Sequence, residues 1–311
     1  MNNKVIVIAG PTAVGKTKFA IEVARSVDGE IVSADSMQLY QYMDIGSAKP
    51  DQEELRLARH HLIDEIDPRE PFSVAQYQKR AKTAIADIFA RGKTPIISGG
   101  TGLYINSLIY DMDFSAPPVD GDYRSELEQL AATKGNAYLH ERLAEKDPDA
   151  AERIHPNNLK KMIRALEVIE NASSGIKSFE NSFVKTADYE TELICLNRNR
   201  EELYERINQR VDTLIERGLV EEVQSLLDKG LTFDDISMKG IGYKEIIGHL
   251  NGEYDLAQAI LMVKQHTRNY AKRQITWFKR YEPMQWFNLS DYESDEHAIE
   301  SIITWLSEKK N

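Results

Sequence analysis

The 311-residue sequence predicts an α/β fold: a parallel sheet flanked by helices, interrupted by an inserted all-helical subdomain. Three observations predict it. A short apolar run, Val5-Ile6-Val7-Ile8-Ala9, leads directly into Gly10-Pro11-Thr12-Ala13-Val14-Gly15-Lys16-Thr17, the G-x-x-x-x-G-K-[ST] pattern of a phosphate-cradling P-loop. Apolar strand-like runs then alternate with amphipathic stretches, the signature of crossover helices on a parallel sheet. From about residue 120 to 180 only helical periodicity is present, and a strand pattern returns at 192–196.

The elements follow in order. A strand at 4–9 feeds the P-loop, and a helix at 16–27 follows it, with Phe19, Ala20, Val23 and Ala24 on one side. A strand at 30–34 precedes helices at 51–59 and 73–91, the latter opened by Ser73 as N-cap. A strand at 94–98 runs into Gly99-Gly100-Thr101-Gly102 and a further helix. Pro117-Pro118 followed by Asp120-Gly121 breaks the alternation, and Ala172-Ser173-Ser174-Gly175 is a second loop signal. A long amphipathic helix covers 201–217, with Leu203, Ile207, Val211, Leu214 and Ile215 on one face. The economical division is a P-loop α/β core at 1–118 and 185–311, interrupted by a helical insertion at 119–184.

Composition narrows the class. A hydrophobic fraction of 41% with 29% charged residues reads as a soluble globular chain. No apolar stretch approaches a membrane span, and the apolar strand at the N-terminus is too short for a signal peptide. The single cysteine, Cys195, reads as a buried strand residue, so neither a disulfide nor a zinc framework is expected and a cytoplasmic location fits. A net charge of −11 argues on its face against nucleic acid. Its distribution argues the other way: residues 264–281 hold six Lys or Arg and no acid, a basic stripe on an acidic body.

The P-loop implies a diphosphate-like ligand. Glycines let the backbone wrap phosphate oxygens, and the following helix adds its positive end. Lys16 is placed to contact the phosphates and Thr17 to hold Mg²⁺. In open parallel sheets ligands sit outside the carboxyl ends of the strands. Asp35, after the strand at 30–34, is therefore a general base or a metal-holding carboxylate. The strand at 94–98 ends without the acid that holds Mg²⁺ in many nucleotide hydrolases, and Thr101 offers a hydroxyl there or caps the next helix. In the stripe, Lys264, Arg268 and Lys272 share one helical face, with Val263, Tyr270, Trp277 and Phe278 toward another. Arg153, His155, Lys160, Lys161 and Arg164 form a second basic cluster in the insertion. The seven histidines show no organised pattern and read as buried or capping residues.

These blocks stand together in a recognisable order: GPTAVGKT, SADSMQLYQYMDIGSAKP (33–50), HHLIDEIDP (60–68), SGGTGLY (98–104), RIHPNNLKKMIRALEV (153–168), KGIGYKE (239–245) and TRNYAKRQITWF (267–278). Over nearly its whole length the chain resembles the bacterial tRNA dimethylallyltransferase (tRNA isopentenyltransferase) family. With one cysteine in the sequence, the C-terminal zinc finger of eukaryotic relatives is not expected within it. The resemblance implies transfer of a dimethylallyl group from its diphosphate to N6 of the adenosine 3′ of the anticodon. It implies that the P-loop, residues 12–17 above all, holds the prenyl diphosphate in place of a nucleoside triphosphate. Asp35 would be the general base, with Thr101 positioning the adenine N6. Asp35, Ser36, Met37, Gln38, Thr101, Arg124, Lys160, Lys161, Met162, Ile163, Arg164, Lys239, Gly240, Ile241, Gly242, Tyr243 and Lys244 would be the tRNA-contacting positions. The insertion would grip the anticodon stem-loop. Arg268, Lys272 and Arg273 lie in the matching final motif, and a place near the diphosphate is expected for them. The implied cofactor is Mg²⁺, the implied partners are tRNA and dimethylallyl diphosphate, and a monomer away from membranes is expected. The rival is a P-loop kinase of a small metabolite or nucleotide, which the P-loop and the α/β core permit.

Overall fold

The computed structural model describes residues 3–112, 114, 121–171 and 184–309. The chain divides into two compact units, Met1–Ile109 with Thr186–Asn311, and Tyr110–Lys185. The second unit starts before residue 119 because Tyr110 forms an antiparallel bridge with Lys185, and the Asp111 N–H donates to the Val184 carbonyl at 2.8 Å. The breaks expected at 117–118 and at 172–175 lie outside the described residues.

The first unit is built on one six-stranded sheet. Its strands are β1 (Lys4–Ala9), β2 (Gly29–Ser33), β3 (His60–His61), β4 (Thr94–Gly99), β5 (Glu190–Asn197) and β6 (Gln285–Asn288). Their spatial order is β3-β2-β4-β1-β5-β6, and every neighbouring pair is parallel. Strand β1 lies between β4 and β5, with Ile6 opposite Ile96 on one side and Glu192 on the other. The apolar runs follow from this placement, since a central parallel strand is covered on both faces. Val5, Val7, Ile8 and Ala9 are all fully buried. Strands β3 and β6 were not legible in the sequence. Two residues in one case and Gln-Trp-Phe-Asn in the other carry no periodicity, and only pairing with β2 and β5 makes them strands.

Helices α1 (Lys16–Ser26), α2 (Gln52–Leu57), α3 (Val74–Ala90) and α4 (Gly102–Ile109) precede the second unit. Ser73 opens α3 with a reciprocal capping box to Gln76, as its position suggested. The second unit comprises α5 (Gly121–Lys134), α6 (Asn136–Lys146), α7 (Pro148–Arg153) and α8 (Leu159–Asn171). It has its own core of Leu127, Leu139, Leu143, Met162 and Leu166. The chain then returns to the first unit through β5 and continues in α9 (Arg200–Glu216), α10 (Leu219–Asp228), α11 (Tyr243–Leu250), α12 (Leu256–Phe278) and α13 (Asp295–Glu308). Phe19, Val23, Ile31, Ile96, Leu196, Leu203, Ile207 and Ile302 form one cluster that fuses α1, α9 and α13 to the sheet. Each such side chain contributes roughly 1.5–3 kcal/mol when fully buried.

Helix α12 buries Ala259, Val263, Ala271, Gln274 and Phe278. Its basic face is directed along α9: Lys264 pairs with Asp212 at 2.7 Å, and Arg268 donates to Asn208 at 2.6 Å. No helix among the described residues is long and apolar enough to cross a membrane.

Candidate active site

A cleft of about 750 Å³ opens at the carboxyl ends of β1, β2 and β4 in the first unit. The P-loop forms one wall. Gly15 takes φ 111° as the N-cap of α1, a left-handed backbone that a side chain would strain, and no side chain caps the helix there. The first-turn N–H groups of α1 therefore have no acceptor within their own helix and are available to an anion. The loop's carbonyls are held by long side chains. Arg206 Nε donates to Ala13 O at 3.1 Å, Arg198 Nε to Val14 O at 3.3 Å, and Lys16 Nζ to Pro11 O at 2.9 Å.

The segments carrying Asp35 and Thr101 meet at the cleft. The Asp35 carboxylate accepts the Met37 N–H at 2.9 Å through Oδ1, and Oδ2 has no protein partner among the described residues. Thr101 Oγ1 accepts the N–H of Ser36, the residue after Asp35, at 3.1 Å. The Thr101 N–H donates to Ala34 O at 3.0 Å. The segments that follow β2 and β4 are thereby locked together, with the Asp35 carboxylate lining the cleft and the Thr101 hydroxyl bonded to the residue after it.

The electrostatics are those of an anion site. Lys16 sits low, at about 8, because burial disfavours its charge; Asp35 opposes that shift and Arg210 adds to it. The Arg210 guanidinium is also pushed down by burial, again with Asp35 opposing. Arg210 lines the cleft and has no hydrogen-bond or ion-pair partner among the described residues. The Tyr270 hydroxyl is pushed up to about 12 by burial. Arg273 lines the cleft and lies over the Tyr270 ring, 5.7 Å from its centroid.

Among the sequence-derived candidates, Thr12, Ala13, Gly15, Lys16, Thr17, Asp35, Ser36, Met37, Gln38, Lys239, Gly240, Ile241, Gly242, Lys244 and Arg273 all line this one cleft. The structure does not bring Arg268 and Lys272 there: Arg268 is engaged by Asn208, and Lys272 is exposed outside the cleft lining. Tyr243 is fully buried and donates to Glu222 at 2.8 Å, so its side chain is a structural tie. In the second unit, Lys160, Lys161 and Arg164 are exposed along α8, but Met162 and Ile163 point into the unit's core. Helical spacing forces that separation on consecutive residues. Arg124 and Arg164 both pair with the buried Glu167 carboxylate, at 2.6 and 3.3 Å, which holds the two guanidiniums together.

Two residues went unread in the sequence. Arg210 lies between the blocks at 153–168 and 239–245 and carries no local signal. Gln274 is 5% exposed and bridges the two loops of the site: Oε1 accepts the Thr12 N–H and Nε2 donates to Gly100 O, both at 2.9 Å. A Cβ on Gly100 would lie 2.2 Å from Nε2, so only glycine admits that bridge. An uncharged glutamine within a basic stripe was the available clue.

The IPP transferase family profile matches residues 38–281. The chain belongs to the IPP transferase family. A tRNA dimethylallyltransferase of Alkaliphilus oremlandii is 52% identical over 303 residues, covering 97% of each chain. One of Clostridioides difficile is 49% identical over 303 residues, again with 97% of each chain covered. The crystal structure of a tRNA isopentenylpyrophosphate transferase from Bacillus halodurans is 42% identical with a TM-score of 0.75, covering 99% of this chain and 97% of that one. A eukaryotic dimethylallyltransferase acting on tRNA is 28% identical with a TM-score of 0.83, covering 98% of this chain and 80% of that one. As an IPP transferase the chain has a P-loop-type core.

Proposed function

We infer that this protein transfers a dimethylallyl group from dimethylallyl diphosphate to N6 of the adenosine 3′ of the anticodon in tRNA. One observation carries the chemistry: Asp35 lines the same cleft as a P-loop lined with cations, with Thr101 held against the neighbouring Ser36, so a base and a diphosphate cradle face one space. An exocyclic adenine amine is a poor nucleophile because its lone pair is delocalised. Thr101 orients the amine and Asp35 Oδ2 takes its proton as the N6–C bond forms and the allylic C–O bond breaks. General-base assistance of this kind is worth ~10²–10⁴-fold. The electron pair of the broken bond leaves with the diphosphate. The first-turn N–H groups of α1, Lys16, Arg210 and Arg273 receive that charge.

Ile207, Val211, Leu214 and Val263 line the same cleft and supply an apolar wall for the dimethylallyl chain, which keeps water from the allylic carbon. Thr17 fits a Mg²⁺ shared with the diphosphate. The described residues contain no group of three or more acids, His or Cys that could hold a metal by themselves, which suits an ion that takes most of its ligands from phosphate and water. When bound, the ion neutralises the leaving diphosphate. In the second unit, Arg124, Lys160, Lys161 and Arg164 are the cations offered to the RNA backbone. The kinase reading is not favoured, since β4 runs through Ser98-Gly99 into Gly100 without a metal-holding acid.

The test is one incubation of the protein with Mg²⁺, labelled dimethylallyl diphosphate and unmodified tRNA. Label enters the tRNA and is lost when the adenosine 3′ of the anticodon is replaced by guanosine. Absence of label together with turnover of ATP would reverse the conclusion in favour of a kinase.

A further inference from the structure

We propose that Glu222 is a positioning residue that sets the geometry of the tRNA side of the cleft; this rests on the reading of that cleft as a site of tRNA dimethylallyl transfer. Glu222 stands in the first turn of α10 and is not itself part of the cleft lining. Its Oε2 accepts the N–H groups of Asp44 at 2.8 Å and Ile45 at 2.7 Å. Its Oε1 accepts the Gly46 N–H at 3.0 Å and the Tyr243 hydroxyl at 2.8 Å. Three consecutive backbone donors and a phenol thus converge on one carboxylate. Successive N–H groups turned to one side form an anion nest, and here the anion is supplied by the protein's own α10.

The two segments so gathered both line the cleft. Residues 46–48 contribute to one part of its wall and 239–242 with Lys244 to another. They pack without slack: a Cβ on Gly46 would lie 2.5 Å from the Tyr243 ring, and a Cβ on Gly240 would lie 2.7 Å from Met37 Cε. Met37 in turn donates its N–H to Asp35 Oδ1, and Gln38 Nε2 donates to Ala48 O at 3.2 Å. Glu222 therefore reaches the segment that carries Asp35 by two routes, through Ala48 and Gln38 and through Tyr243, Gly240 and Met37. A free carboxylate beside a polyanion's site weakens binding by repulsion; this one is consumed by four donors that fix the wall.

The isosteric Glu222→Gln variant isolates the role. An amide has one acceptor oxygen and one NH₂, so in either orientation it faces two of the four donors with N–H of its own. Steady-state kinetics are measured with tRNA and dimethylallyl diphosphate varied separately. The expected result is a fall of about tenfold or more in kcat/KM for tRNA, with KM for dimethylallyl diphosphate changed by less than about twofold. The direction is diagnostic, because removing a negative charge alone tightens RNA binding. Tyr243→Phe, which keeps the carboxylate and its three backbone bonds, gives a smaller loss in the same parameter. An unchanged or improved kcat/KM for tRNA in folded Glu222→Gln overturns the proposal, as does an equal loss toward both substrates. If Glu222→Gln does not fold, Tyr243→Phe decides: full tRNA activity overturns the proposal. A wild-type protein that labels no tRNA in the same assay overturns the reading of the cleft itself, a failure seen before any variant is compared.

Discussion

Asp35 lies beside two half-buried cations, Lys16 and Arg210, and its charge supports both against the cost of desolvation. Replacing it with asparagine keeps the shape and removes the proton acceptor. Turnover is expected to fall ~10²–10⁴-fold with tRNA affinity little changed. Near-normal turnover in single-turnover kinetics would exclude it as the base. Lys16 carries a pH prediction. With its value lowered to about 8, the free enzyme loses that charge as pH rises through 8, so KM for dimethylallyl diphosphate should climb between pH 8 and 9. A pH-independent KM over that interval would remove Lys16 from diphosphate binding. For stability the sign is opposite. The unfolded chain binds the Lys16 proton up to its ordinary value of 10.5, so between 8 and 10.5 it holds more protons than the native state. Lys16 therefore opposes folding below 8, and that opposition is relieved as pH rises toward 10.5.

Among the elements, α12 binds the site together by means of one residue. Gln274 satisfies a P-loop N–H and a carbonyl of the Gly99-Gly100 turn at once. Gln274→Leu leaves both groups buried and unpaired, each costing about 1–3 kcal/mol. A lower melting temperature and a raised KM for dimethylallyl diphosphate are expected, with tRNA affinity retained. Unaltered melting and KM would show that the bridge is dispensable. The basic face of α12 teaches a different lesson. Lys264 and Arg268 fall at helical spacing with Lys272, as the sequence indicated, but α9 meets the first two with Asp212 and Asn208. Spacing identifies a face; it does not identify what packs on it. In α8 the same periodicity separates the exposed Lys160, Lys161 and Arg164 from the buried Met162 and Ile163.

For the whole molecule, the two units have separate cores, and under the proposed function substitutions in the second unit change RNA affinity independently of the prenyl-donor chemistry in the first. Joint replacement of Lys160, Lys161 and Arg164 by alanine should weaken tRNA binding and reduce the slope of log affinity against log salt by about two, given roughly 0.7 per single-strand phosphate contact. KM for dimethylallyl diphosphate should not move. An unaltered salt slope would place the RNA elsewhere.

The sequence by itself determined the parallel α/β core, the P-loop and the helical character of 121–171. Each is written in local order: an apolar run, a glycine pattern and a 3.6-residue period report on residues adjacent along the chain. It also brought Asp35 and Thr101 forward, because the end of a β-strand in such a sheet is a known place for chemistry. Only the tertiary structure decided the rest. Strands β3 and β6 exist through their pairing with β2 and β5. Arg210, Gln274 and Glu222 gain their roles from partners between 21 and 262 positions away. Arg268 is set apart from Arg273 by the Asn208 that engages it, and Lys272 by facing solvent outside the cleft. Interactions of that kind leave no periodic trace, because the partners meet only after the chain has folded.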